Sequence, residues 1–103
     1  FDVRFLPNPF YVPELKHKTG LDQEVVDYVM ASTDSQELLR RYEHMLEFAL
    51  PLYVKEGKSQ LMIAVGCTGG KHRSITFARK IAAFCEKLGY APSVQHRDVK
   101  RSL

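Results

Sequence analysis

The sequence predicts an α/β fold: one small domain in which a short, mostly parallel sheet is flanked by helices. Two observations predict it. An apolar run at residues 61–65 passes without alternation into "GCTGGKHRS" and then into an amphipathic helix, and the elements along the chain come in the order strand, helices, strand, loop, helix, strand. At 103 residues the chain reads as a single domain, long enough to bury a core without help from disulfides or metals.

Each element has its own signal. "FDVRFL" alternates, with Phe1, Val3 and Phe5 on one face and Asp2 and Arg4 on the other, and reads as a short strand. Pro7, Pro9 and Pro13 then exclude regular helix or central strand and leave a stiff, extended loop. Asp22 is placed to cap a helix beginning near Gln23, with Val25, Val26 and Val29 inward, and "STDS" at 32–35 offers the next cap. Leu38, Leu39, Tyr42, Met45, Leu46, Ala49, Leu50 and Tyr53 recur at three-and-four spacing and predict a long amphipathic helix, which Pro51 should kink or deprive of its last turn. "KEGKS" turns the chain, and "QLMIAV" reads as a strand covered on both faces. Ile75, Ala78, Ile81, Ala82, Cys85 and Leu88 mark another helix, closed by Gly89, and "PSVQHRDV" is the last strand before a short basic tail.

Composition bounds the function. Apolar residues make up 45% and charged residues 26%, a soluble globular profile, and no apolar run is long enough to span a bilayer. The chain begins at Phe1 and shows no basic-then-apolar leader, so it reads as a piece of a longer protein rather than a secretory precursor. Two cysteines make no disulfide scaffold and point to a reducing, cytoplasmic compartment. Cys67, His72, Cys85 and His96 are metal-ligand types, but their spacing matches no tight Cys/His pairs, and no metal is expected. Residues 71–103 carry eight cations against two acids, a net of +6, which leaves −3 for the first seventy residues. That bias suits an anionic partner, or simply a solvated basic face.

The loop at 67–74 carries the chemistry. Gly69 and Gly70 let the backbone close around an anion, the first turn of the following helix offers free N–H groups, and Lys71, His72 and Arg73 add up to three cationic groups. Arg73 has the fork geometry to hold a phosphate through two parallel hydrogen bonds, and Thr68 and Ser74 supply hydroxyls. The competing reading is a Gly-rich turn with solvated charges. No Walker loop can be laid on these residues. The pattern C-x-x-G-x-x-R-S, from Cys67 to Ser74, resembles the protein tyrosine phosphatase signature and makes a Cys67 nucleophile the alternative function. Against it, Gly66 stands where that family usually has His, and no "WPD" acid loop exists.

"VGCTGGKHRS", with "FDVRFLPNP" at the start, "TGLD" at 19–22 and "HRDV" at 96–99, resembles the C-terminal domain of the RapZ family of bacterial RNase adapter proteins. The resemblance spans essentially the whole chain. It implies a phosphofructokinase-like fold, a P-loop domain preceding this one that would bind ATP or GTP, no cofactor in this domain, and self-association. It further implies binding of an amino-sugar phosphate of the glucosamine 6-phosphate kind and of small regulatory RNA, in a role linked to an RNase. The positions that match the family's motifs are Asp2, Arg4, Asn8, Thr19, Cys67, Thr68, Gly69, Gly70, Lys71, His72, Arg73 and Ser74. The tail "HRDVKRSL" is less basic than that of the RNA-binding member that defines the adapter role.

The residues and the resemblance agree on a non-enzymatic sensor. Asp2 and Asn8 offer groups for a sugar ammonium and hydroxyls, provided the first strand neighbours the third; Asp2 is otherwise an ordinary exposed charge. RNA, if bound, is expected at Lys87, Arg97, Lys100 and Arg101. His17 and His96 read as surface histidines, and Phe10 and Tyr11 as packing rather than base stacking.

Overall fold

The computed structural model describes residues 1–57, 60–66 and 71–94. Three helices dominate them: α1 (Gln23–Met30), α2 (Thr33–Lys55) and α3 (Arg73–Lys87), with a 3-10 turn at Pro9–Tyr11. Each helix touches the other two. No helix among the described residues is long and apolar enough to cross a membrane.

The helices form where the sequence signals place them. In α1, Val25, Val26 and Val29 are buried as their spacing requires. Asp22 occupies the cap position, but its Oδ2 accepts from the Thr19 N–H at 2.9 Å rather than from the helix. Ser32 caps α2, its hydroxyl accepting from Asp34 N and Ser35 N. The helix continues through Pro51 to Lys55, so the proline does not split off the last turn. Its ring costs one backbone donor on an exposed stretch, where the orphaned carbonyl is open to solvent. α3 ends in a Schellman turn: Gly89, at φ +99°, donates to Glu86 O, and Tyr90 N donates to Cys85 O.

The core forms two neighbouring clusters. Val3, Leu6, Leu15, Val25, Val29 and Phe77 make one, and Leu46, Leu50, Ile81 and Cys85 the other, with Leu39, Tyr42 and Val65 touching both. Phe77, fully buried at the centre, contributes about 2–3 kcal/mol by leaving water, although the sequence stripe for α3 omits it. Burial pushes the Cys85 thiol pKa up, and the residue serves as a small apolar filler.

The predicted α/β sheet is absent among the described residues. Among the described residues the only β pairing is a single parallel bridge between Asp2 and Gly66, in which Val3 N donates to Gly66 O (2.9 Å) and Gly66 N to Phe1 O (2.7 Å). The fold is helical, and the phosphofructokinase-like expectation falls with the sheet. Two physical reasons account for the error. The alternation of "FDVRFL" stops at Val3: Leu6 N turns back to Val3 O, burying Val3 and Leu6 and leaving Phe5 70% exposed. "QLMIAV" is covered on one side only, with Ile63 and Val65 against the core and Met62 90% exposed, so its apolar composition does not mark a central strand. Of the last strand candidate, 92–94 are irregular and exposed; the rest lies outside the described residues.

Candidate functional site

α3 begins where three separated stretches meet. His72 stands at its cap position without a side-chain cap, and residues 71–77 are all buried. The His72 carbonyl accepts from both the N–H and the hydroxyl of Thr76, which closes the first turn. Gly20 lies flat against that turn. Its N–H donates to Lys71 O, its carbonyl accepts from Arg79 Nη1, and a Cβ there would stand 2.6 Å from Thr76 N and 2.7 Å from His72 O. "TGLD" is thus a backbone clamp on the start of α3, with Thr19 folded into its own turn, its hydroxyl accepting from Leu21 N.

Arg73 ties in the first segment. Its guanidinium is buried, and Nη1 donates to the carbonyl oxygens of Arg4 and of Leu6, the latter at 3.0 Å. Nε is buried without a partner, and no ion pair among the described residues includes this side chain. Lys71 and Ser74 are buried beside it.

His72 is held differently. A ring nitrogen lies 3.2 Å from the Leu15 carbonyl, which can only accept, so Nε2 carries the proton. Burial lowers the His72 pKa below its usual value of 6.5, and the neighbouring Lys71 charge acts in the same direction. The ring is therefore a neutral donor fastening the 15–20 stretch rather than a third cation.

Asp2 and Arg4 sit at the edge of this cluster, joined to Gly66 through the parallel bridge at Asp2. Arg4 Nε donates to both Asp2 carboxylate oxygens, at 2.9 and 3.1 Å, and both side chains are exposed. The guanidinium, helped by the Arg4 N–H, holds the Asp2 carboxyl below the usual carboxylate range. Among the described residues the neighbour of the first segment is the stretch ending at Gly66; most of the third strand candidate lies outside them. Asn8 lies further along, its Oδ1 capping the 3-10 turn at Phe10 N. Tyr42, which no sequence signal marked as more than core, donates its hydroxyl to Asp2 O and stacks on Phe1 with ring centroids 4.1 Å apart.

Asp2, Arg4, Thr19 and Lys71–Ser74 are thus connected around one helix start, whereas Lys87, exposed in the last turn of α3, lies about 21 Å away along the helix axis. Cys67, Thr68, Gly69, Gly70, Arg97, Lys100 and Arg101 lie outside the described residues. The phosphatase alternative gains no support, since its nucleophile, Cys67, lies outside the described residues. Among the described residues no group of three His, Cys, Asp or Glu is arranged to hold a metal. The residues missed by sequence reasoning, Gly20 and Arg79, act through close approach and a single carbonyl; only the glycine in "TGLD" hinted at the first.

Comparison with known proteins agrees with the resemblance drawn from the motifs. The family described as RapZ C-terminal domain matches residues 1–100. A nucleotide-binding protein of Limosilactobacillus reuteri is 54% identical over 101 residues, covering 98% of this chain and 35% of that protein. Proteins of the same description from Caldicellulosiruptor saccharolyticus and Clostridium kluyveri are 50% and 48% identical over 103 residues, again with 35% of their length covered. This chain spans about a third of the relatives it matches, and it belongs to the RapZ C-terminal domain family.

Proposed function

We propose that the domain is a regulatory sensor that binds an amino-sugar phosphate, of the glucosamine 6-phosphate kind, at the start of α3. The observation that carries the reading is Arg73, a permanently charged side chain only 3% exposed, with an unpartnered Nε and no ion pair among the described residues. A buried cation without a counter-charge is costly, and an anion brought beside it offsets that cost. The first turn of α3 adds the partial positive charge of a helix N-terminus, and Lys71 lies two residues before it. Asp2, kept ionised by Arg4 and bridged to Gly66, supplies a carboxylate for the sugar ammonium. The reading assigns the domain no catalytic step.

Calorimetric titration with glucosamine 6-phosphate, glucose 6-phosphate and glucosamine tests it. The amino-sugar phosphate should bind most tightly, and Lys71→Ala should weaken it by about tenfold or more while the circular dichroism spectrum is unchanged. Equal affinity in the variant removes the pocket, and no heat from any sugar phosphate removes the reading.

RNA binding is a separate proposal, supported by the +6 charge of residues 71–103. It would run through Lys87, Arg97, Lys100 and Arg101 and weaken steeply with salt, as phosphate contacts do. Nucleotide binding, which the relatives' names state, is proposed for the chain that precedes this domain in a full-length, cytoplasmic protein, with self-association and an RNase as further partners.

A further inference from the structure

α2 outruns the core it packs on. Leu46 and Leu50 are its last buried residues, and every residue from Pro51 through Gly57 is exposed, including Leu52, Tyr53 and Val54. Met45, Phe48 and Leu52 follow at three-and-four spacing on the outer face, 45%, 72% and 51% exposed. Beside them opens a groove of about 400 Å3 lined by Phe48, Ala49, Leu52, Tyr53 and Glu56. A helix apolar on its outer side as well as its inner one is a buried helix, and a contiguous exposed apolar patch marks a contact surface.

We infer that this face of α2 is covered by the chain that precedes Phe1 in the full-length protein. Two observations select that occupant. The relatives carry nearly two-thirds of their length outside the region matched here, and the matched family is a C-terminal domain, so in a protein built like them a large body of chain comes before it. The point of entry is beside the patch. Phe1 lies flat on Tyr42 of α2, the ring planes 5° apart, and its backbone nitrogen donates to Ala64 O at 2.6 Å, a bond that a peptide N–H makes equally well. Tyr42 precedes Met45 by about 4.5 Å of helix rise and Leu52 by about 15 Å. A few residues of linker therefore bring the preceding chain onto the groove, and tethering at that distance supplies an effective concentration near millimolar, well above that of a free partner. The covering segment is apolar, with a Lys or Arg opposite Glu56 at the rim.

The test uses full-length protein carrying Leu52→Cys, with maleimide labelling followed peptide by peptide so that Cys67 and Cys85 are read separately. Labelling at position 52 should be at least about tenfold slower in native buffer than in denaturant, at every protein concentration, and should speed up when Phe48→Asp is added. A benzophenone attached at position 52 should then cross-link to a peptide from the preceding chain of the same molecule. Labelling as fast as in denaturant overturns the inference, and so does protection that appears only at high concentration with cross-links to residues 1–103 of a second copy.

Discussion

Arg73, at the start of α3, donates a hydrogen bond to the Leu6 carbonyl at 3.0 Å, joining residues 67 positions apart in the chain. With the second bond to Arg4 O, it fixes the turn that diverts the first segment from a strand. Arg73→Ala should therefore cost about 3 kcal/mol in urea denaturation, since it opens a cavity and strands two carbonyls. Arg73→Met keeps the stem and sheds an uncompensated charge, so its loss should be smaller. Phosphate at constant ionic strength should raise the melting temperature of the parent and not of Arg73→Met; an equal rise in both would show that the buried charge plays no part in anion binding.

Gly20 should tolerate no side chain. A methyl group there meets backbone on two sides and Ile75 on a third, so Gly20→Ala should destabilise by about 2–3 kcal/mol. Gly57, which has open space around it but φ +91°, should lose only about 1 kcal/mol as alanine. Thermal unfolding of the two variants ranks them; a milder effect at Gly20 than at Gly57 would contradict the clamp.

His72 predicts an acid sensitivity of the fold. Its folded pKa lies below the unfolded value of 6.5, so between the two the unfolded chain binds more protons and stability rises with pH. The contribution is complete above pH 6.5 and is lost as pH falls through the lowered folded value, with a slope of up to about 1.4 kcal/mol per pH unit. His72→Gln, which keeps a donor within reach of Leu15 O, should flatten that slope when denaturation is measured from pH 7.5 to 5; an unchanged slope would assign it elsewhere.

The helices were legible in the sequence because their signals are local. Val25, Val26 and Val29, the Ser32 cap and the Gly89 terminus each act within one turn or two. The sheet was misread because "QLMIAV" records only that its residues are apolar, not that neighbours exist to cover both faces, and Met62 has none. The site residues near 71–74 were visible as a cluster of cations at a helix start. Their individual duties were not: His72 as a neutral donor to Leu15 O and Arg73 as a pin on Leu6 O depend on contacts 57 and 67 residues away. Tyr53, assigned inward by periodicity, is exposed because α2 extends past the core beyond Leu50, and Met45, likewise assigned inward, is 45% exposed beside the buried Leu46.

A 15N–1H correlation spectrum of the protein titrated with glucosamine 6-phosphate reads the proposed site residue by residue. Saturable shifts are expected, concentrated at the amides of Lys71–Thr76, Gly20 and Asp2–Arg4, reduced when glucose 6-phosphate replaces the amino sugar and reduced again in Asp2→Asn. Shifts confined to the Lys87 end of α3, or no shift at millimolar ligand, would contradict it.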